Sequence, residues 1–255
     1  MRPGRRALAA VLLAAPLLPL HAGLPEVVAT AKPSVVAVGI YDPLASPRFA
    51  FRGTGFVVGD GRLLATNAHV LPEEPVALSK LVLQVSGNRR VGQDAPAETR
   101  GLTLASVDRL HDVALLRIDG APMQPLPLAT APAREGQAVA FIGFPIGSLL
   151  GFAPVTHRGL VSSVVAMALP PPNAAQLDAA AIARLRQPAF DIYQLDATAY
   201  PGNSGGPLLD VDTGQVLGLL NMVLVKQSRE SLLSQPSGIS YAIPVEHLRA
   251  LMDRK

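Results

Sequence analysis

The chain has 255 residues, 49% of them hydrophobic, which is enough to bury a sizeable core as one domain. It contains no cysteine, which excludes a disulfide framework, a cysteine nucleophile and thiolate metal sites. The formal net charge is +3, but residues 1–22 hold three of the 22 basic residues and none of the 19 acidic ones. The rest of the chain is therefore balanced in charge, and nothing in it indicates a nucleic-acid partner.

The first 22 residues have the pattern of a signal peptide. Arg2, Arg5 and Arg6 precede an apolar run at 7–20, and the small residue Ala22 offers a cleavage site. The alternative interpretation is an uncleaved membrane anchor, but the run is shorter than the roughly 20 residues that cross a bilayer, which favours the signal peptide. We predict an exported protein, periplasmic or secreted from a bacterium, with its folded domain over 23–255. It would contact a membrane only if this segment stays uncleaved.

The first half of the remaining chain is predicted to consist mainly of short β-strands. Residues 24–30 have helical spacing that ends before Pro33. Polar residues at 86–101 predict an exposed loop. β-Branched content and intervening turn residues predict strands at 35–41, 55–58, 62–66, 81–85, 103–107 and 113–118.

The second half continues this pattern with one interruption. Residues 119–134 are rich in proline and alanine and predict a crossover between two barrels. Asn173 and Gln176 form a capping box before a short helix at 174–186, and amphipathic spacing predicts a last helix at 245–255. Strands are predicted at 138–142, 155–165, 193–196, 216–221 and 239–243. Short strands without long helices between them predict an all-β fold, with antiparallel barrels over about 33–120 and 135–244.

Three separate sequence blocks carry the residue types of a nucleophilic hydrolysis site. Ser204 is flanked by small residues that let backbone amides approach its hydroxyl. His69 follows one apolar strand, and Asp112 opens another. A serine hydroxyl needs a base to take its proton and an acid to orient that base. We therefore predict His69, Asp112 and Ser204 as catalytic residues, with Asp108 and Asp119 as alternatives for the acid.

The order of these residues and several further motifs resemble one known family. Residues 66–70, 112–116 and 202–207 are similar to the three catalytic blocks of trypsin-like serine proteases of the HtrA (Deg) family. Residues 33–36, 53–58, 142–145 and 238–244 resemble further strands and a turn of that family. The resemblance covers the protease domain without the PDZ domain that usually follows, so activation through a PDZ domain is not expected. It implies two six-stranded antiparallel β-barrels with short terminal helices.

The resemblance also implies an activity. The expected function is a serine endopeptidase that cleaves peptide bonds of unfolded or exported proteins through an acyl-enzyme intermediate. Backbone amides of Gly202, Asn203 and Ser204 are the candidates for the oxyanion hole. Thr198, six residues before the serine, corresponds to the base of the primary pocket, and without a carboxylate there we expect small or medium apolar side chains before the scissile bond. The other expected pocket residues are Ala199, Leu220, Asn221, Met222 and Ile239.

Two other classes of protein stay open. Residues 202–206 also satisfy the Gly-x-Ser-x-Gly pattern of α/β-hydrolases, which would make the protein a serine esterase. That class needs a histidine after the serine, and only His247 follows Ser204, inside a predicted helix. The second alternative is a latent or inactive binding protein that keeps the protease fold.

The remaining motifs indicate no further chemistry. His111, His157 and His247 are expected at the surface, His111 because adjacent strand residues point to opposite faces. No residues have metal-ligand spacing or form a phosphate-binding loop, so no metal and no cofactor is expected. Family trimers often use aromatic residues near the start of the domain, and none lies between Gly23 and Ile40, so monomer and trimer both stay open. The 170–187 insertion falls where the family carries a ligand-sensing loop, the alternative being a surface helix.

Overall fold

The computed structural model describes residues 23–85, 98–147, 152–167, 190–221 and 238–254. Within these ranges the chain forms two closed six-stranded antiparallel β-barrels and a few short helices. This confirms the all-β fold expected from the sequence. The expected signal segment, the expected helix at 174–186 and Met222 lie outside the described residues.

The first barrel has the strand order β1-β2-β3-β6-β5-β4, and β4 closes it by pairing with β1. Its interior is filled by aliphatic side chains such as Val36, Val57 and Leu116. The strands are β1 (Val35–Tyr41), β2 (Phe49–Val58), β3 (Leu63–Thr66), β4 (Leu81–Val85), β5 (Glu98–Asp108) and β6 (Val113–Ile118). Residues 98–101, expected in a loop, pair with β4 instead. They lack the apolar alternation that marks a strand because this end of β5 is largely exposed to solvent.

The second barrel has the strand order β10-β11-β12-β9-β8-β7 and is also closed. Its strands are β7 (Ala138–Gly143), β8 (Val155–Met167), β9 (Phe190–Asp196), β10 (Pro207–Asp210), β11 (Val216–Leu220) and β12 (Ile239–Pro244). The sequence did not predict β10, since it has only four residues and directly follows the glycine-rich block around Ser204. It pairs with both β7 and β11 and so closes the barrel.

In the part of the chain that the structure describes, three α-helices accompany the barrels: α1 (Leu24–Ala31), α2 (Pro75–Leu78) and α3 (Val245–Asp253). The buried side of α3, formed by Val245, Leu248 and Leu251, packs against β5 and β6 of the first barrel and β11 and β12 of the second. The helix therefore joins the two barrels. None of the helices in the described ranges is long and apolar enough to cross a membrane.

The crossover between the barrels is hydrogen-bonded to both of them. The amide of Leu126 donates to the carbonyl of Val57 in the first barrel at 2.9 Å. The amide of Val216 in the second barrel donates to the carbonyl of Pro127 at 2.8 Å, and Ala129 donates back to Val216 at 2.9 Å. A continuous core connects the outer face of the first barrel with the interior of the second. The two barrels thus meet along a fixed junction.

Candidate active site

His69 and Asp112 form a close pair at one end of the first barrel. His69 lies in a short 3₁₀ turn after β3, and Asp112 lies in the turn before β6. Nδ1 of His69 is 2.6 Å from Oδ2 of Asp112, and the backbone amide of His69 donates to Oδ1 at 2.8 Å. The carboxylate therefore holds both the ring and the backbone of the histidine. A carboxylate on Nδ1 favours the tautomer that carries its proton there.

Two asparagines hold Asp112 in turn. Nδ2 of Asn221, which is buried, donates to Oδ2 of Asp112 at 2.6 Å. Nδ2 of Asn67 donates to the backbone carbonyl of Asp112 at 3.0 Å. Sequence analysis placed Asn221 among the pocket residues and missed this contact, because the two residues are 109 positions apart and only the closed second barrel brings them together. Asn67 could have been identified from the sequence, because it lies only two residues before His69.

The loop that carries Ser204 is anchored on Thr54 of β2. The amide of Thr54 donates to the carbonyl of Ser204 at 2.9 Å, and its hydroxyl donates to the carbonyl of Gly202 at 2.6 Å. The same hydroxyl accepts the amide of Phe144 at 3.2 Å, so one threonine ties the serine loop to both barrels. Gly202 and Gly205 have φ of 102° and 83°, a region that favours glycine. The sequence assigned Thr54 only to a strand and did not predict these contacts with the serine loop.

The peptide bond between Pro201 and Gly202 has a defined orientation. Its carbonyl, that of Pro201, accepts the amide of Ile146 at 2.8 Å. Because the carbonyl oxygen and the N–H of a trans peptide point in opposite directions, the amide of Gly202 is directed away from Ile146. The amide of Asn203 donates to the carbonyl of Tyr200 at 3.0 Å, which closes a turn before Ser204.

The serine loop packs directly on the segment that carries His69. A methyl group placed on Gly205 would lie 3.1 Å from the backbone nitrogen of Asn67 and in closer contact still with Oγ1 of Thr66. Ser204 itself is only 5% exposed. The structure thus brings the loop of the second barrel against the histidine segment of the first, as the predicted site requires.

The expected pocket residues lie near the start of β12. The amide of Ala199 donates to the buried hydroxyl of Ser240 at 3.0 Å, which fixes the chain beside Thr198. Leu220 is fully buried, and Ile239 is 44% exposed. These residues are all uncharged, so this part of the site presents small polar and apolar groups.

The three other histidines of the described ranges were expected at the surface, but the structure packs each of them against another ring. His111 stacks on His247 with ring centroids 3.9 Å apart, and His157 stacks on Phe141 at 4.8 Å. All three are partly buried. The reason for the wrong prediction at His111 is that residues 109–112 form a turn, where the alternation of a strand does not apply.

Asp108, an alternative acid, belongs to this histidine cluster. Its Oδ2 is 3.0 Å from Nδ1 of His111 and 3.1 Å from a guanidinium nitrogen of Arg254. Burial opposes ionisation, but the hydrogen bonds from His111 and the charges of His111 and Arg254 together outweigh it and hold the pKa of Asp108 below its usual value. Among Asp108, Asp119 and Asp112, it is Asp112 that contacts His69.

Two closed six-stranded barrels, with a histidine–aspartate pair on one and a glycine-rich serine loop on the other, are the architecture of the chymotrypsin-like proteases. A family model described as a trypsin-like peptidase domain matches residues 53–219. The chain belongs to this family.

The similar proteins are serine proteases of the HtrA type. The chain is 28% identical to the mitochondrial serine protease HTRA2 of Drosophila grimshawi over 236 residues, which cover 90% of this chain and 46% of that protein. It is 34% identical to the serine protease Rv3671c of Mycobacterium tuberculosis over 195 residues, which cover 76% of this chain and 41% of that protein. The chain thus spans less than half the length of these relatives.

Solved structures share the fold. The inactive form of the Rv3671c protease superimposes with a TM-score of 0.60 at 23% identity, covering 89% of this chain and 90% of the other. A serine endoprotease from Yersinia pestis gives a TM-score of 0.61 at 23% identity, covering 91% of this chain and 66% of the other.

Proposed function

We propose that this chain is a serine endopeptidase that uses His69, Asp112 and Ser204 as a catalytic triad. The observation that supports the proposal best is the 2.6 Å contact between Nδ1 of His69 and Oδ2 of Asp112, beside the glycine-rich loop of Ser204. Membership of the trypsin-like peptidase family supports the same assignment. A binding protein that had lost catalysis would have no need of a carboxylate held by both the histidine and a buried asparagine.

The proposed roles follow from the proton positions. With its proton on Nδ1 facing Asp112, His69 has a lone pair on Nε2 that can take the hydroxyl proton of Ser204. The serine oxygen then attacks the peptide carbonyl, and the histidine passes the proton to the leaving amine. Asp112 stabilises the imidazolium in between. Water, deprotonated by the same histidine, releases the acyl group from Ser204.

The oxyanion donors that we propose are the amides of Gly202 and Ser204. Asn203, the third expected donor, already gives its amide to the carbonyl of Tyr200, so we assign it the role of closing the turn. A donor of this kind contributes on the order of 10²- to 10³-fold to the rate. Each acts only where the oxygen develops charge, so its loss affects kcat more than substrate binding.

The proposed substrates are unfolded or exported proteins with a small or medium apolar residue before the scissile bond. Thr198, Ala199 and the other expected pocket residues that the structure describes carry no charge that could pair with a buried Lys or Arg side chain. The export pattern in residues 1–22 supports a location outside the bacterial cytoplasm.

The test is digestion of casein by the full chain, together with labelling by a fluorophosphonate probe that reacts with activated serines. We expect Ser204→Ala to abolish both, with cleavage sites of the wild type following small or apolar residues. Ser79→Ala is the matched control, because Ser79 is an exposed residue whose hydroxyl bonds only within its own turn. It should leave cleavage and labelling unchanged.

Other outcomes distinguish the alternatives. Labelling of Ser204 without cleavage of casein would indicate an esterase. Neither labelling nor cleavage by the wild type would contradict the proposal and indicate a latent or inactive protein. Cleavage mainly after lysine or arginine would contradict the proposed pocket alone.

A further inference from the structure

Four phenylalanines gather next to the serine loop. Phe49 and Phe51 lie on the same side of β2, where burial alternates along the strand. Phe144 and Phe152 lie in and after the turn that follows β7. The ring centroids are 5.2 Å apart for Phe49 and Phe152, 5.8 Å for Phe51 and Phe152, and 6.4 Å for Phe51 and Phe144. We call this group the aromatic cluster.

Of the two rings that β2 gives to the aromatic cluster, the ring of Phe51 lies against the glycine of the proposed oxyanion hole. A methyl group placed on Gly202 would lie 3.0 Å from Cε1 of Phe51, and one on Gly147 would lie 2.6 Å from its Cδ1. The ring therefore rests against two glycines with positive φ, 102° and 55°. Phe49 instead contacts Gly39 within the first barrel.

The turn under Phe51 is the one that orients the Pro201–Gly202 peptide. Ile146, whose amide bonds the carbonyl of Pro201, has a φ of 57°, an unfavourable conformation for a β-branched residue. Such a conformation is energetically unfavourable and persists only where its surroundings impose it. The ring of Phe51 packs on Gly147, the next residue of this turn.

We infer that Phe51 is a positioning residue for the oxyanion hole of the proposed protease. Its ring holds the turn at 144–147 and Gly202 against each other, which keeps the carbonyl of Pro201 on Ile146 and the amide of Gly202 on the side of the serine. Without the ring, the Pro201–Gly202 peptide is free to rotate, and the donor is lost from the hole. The inference rests on the proposed function, since it names the residue that supports one of its two donors.

The test compares Phe51→Ala with Phe49→Ala in the full chain. Both variants remove one ring from the aromatic cluster on the same strand, but Phe51 is among the nearest neighbours of Gly202, whereas Phe49 lies against Gly39. We expect Phe51→Ala to lower kcat for a peptide substrate by about 10- to 100-fold, a substantial part of one donor's effect, while KM changes little. Phe49→Ala should keep kcat within about threefold of the wild type, and Phe51→Tyr, which restores the ring, should recover most of the lost kcat.

A second measurement reports the hole directly. A peptide aldehyde ending in alanine forms a hemiacetal on an active serine, and its oxygen occupies the oxyanion hole. We expect its inhibition constant to rise in Phe51→Ala by about the same factor as kcat falls, because both depend on the same donor. If Phe51→Ala does not fold, Phe51→Leu, which keeps part of the contact, takes its place.

The outcomes separate the inference from the proposed function. Equal losses of kcat in Phe51→Ala and Phe49→Ala, or an unchanged kcat in Phe51→Ala, would overturn the role of Phe51 and leave the protease assignment standing. A loss confined to KM would also overturn it. A wild-type chain that neither cleaves peptides nor reacts with the fluorophosphonate would overturn the proposed function and the inference together.

Discussion

At the scale of single residues, the centre of the site is Asp112, which has a positive φ of 53°. Aspartate is one of the few non-glycine residues that adopt this region, because its short side chain can form local hydrogen bonds. Here the conformation turns the carboxylate onto both the ring and the amide of His69. The buried side-chain amide of Asn221 donates a hydrogen bond to Oδ2 of Asp112, the same oxygen that contacts the ring of His69.

The contact of Asn221 gives the first residue-scale prediction. We expect Asn221→Ala to lower kcat/KM by about 10- to 100-fold, since a hydrogen bond to a charged group contributes about 1.5–3 kcal/mol. Asn67→Ala is the matched control, because Asn67 bonds the neutral backbone carbonyl of the same residue. Its effect should be smaller, within about tenfold. Steady-state kinetics on one peptide substrate measures kcat/KM for both variants. Equal losses of kcat/KM in the two variants would argue against a special role of Asn221.

The glycine of the proposed oxyanion hole gives a second prediction. Gly202→Ala adds a methyl group that collides with the carbonyl oxygen of Phe144, in a backbone region unfavourable for alanine. Gly120 has a similar φ of 89° but open space around it, so Gly120→Ala reports the backbone cost alone, about 1–2 kcal/mol. Overpacking should add about 1–3 kcal/mol for Gly202→Ala. Urea denaturation of both variants measures the difference, and identical losses would show that the loop can relax.

At the scale of elements, α3 is attached to the first barrel by a titratable cluster. The ring of His247 stacks on His111 and meets the edge of Phe190 at 5.4 Å. Within the described residues its Nε2 has no hydrogen-bond partner, and the carboxylate of Glu246 is 3.9 Å away, too far to supply one. Burial, with the nearby His111, lowers the pKa of His247 to about 4, although Asp108 and Asp191 oppose the shift.

This pKa predicts an acid-sensitive attachment of α3. The unfolded chain protonates His247 near pH 6.5, but the folded chain only near pH 4, so stability is complete above pH 6.5 and falls as the pH drops towards 4. Allowing for its partial exposure, we expect the loss to be on the order of 2 kcal/mol. His247→Phe keeps the stack and should reduce the fall between pH 7 and pH 4.5. Urea denaturation at both pH values measures it, and an equal fall in both proteins would refute the role of His247.

The elements also show what the sequence can and cannot predict. β1, β4 and β6 were predicted at their observed bounds, because each is a short apolar run flanked by turn residues or charges. β10 and the first residues of β5 were missed, since the partner strands rather than the local pattern make them strands.

The contacts of Thr54 and Asn221 with the candidate site were also missed. Both contacts join residues of different barrels, so they depend on how the two barrels pack together and not on the local sequence. His69, Asp112 and Ser204 were found because their local motifs are specific, and their catalytic roles stay predictions.

At the scale of the whole molecule, the candidate site lies across the junction of two barrels that α3 holds together. Leu248 is fully buried between them, whereas Leu44 in the loop after β1 is 96% exposed. We expect Leu248→Ala to lower the free energy of unfolding by about 2–5 kcal/mol through the cavity it leaves. Leu44→Ala, the same chemical change at the surface, should alter it by less than about 0.5 kcal/mol. Chemical denaturation of the two variants compares them, and similar values would mean that α3 contributes little to the junction.

The division of the site between the barrels also orders events during synthesis. His69 and Asp112 emerge from the ribosome with the first barrel, but Asn221, Ser204 and the helix that joins the barrels follow more than 90 residues after Asp112. Domains fold largely in the order of their emergence, so the first barrel would wait beside an unfolded second half. An unfolded chain is also the kind of substrate that we propose for this protein. The proposed nucleophile and oxyanion donors are made with that second half. On this proposal, the nascent protein cannot cut itself until it has folded and is no longer a substrate.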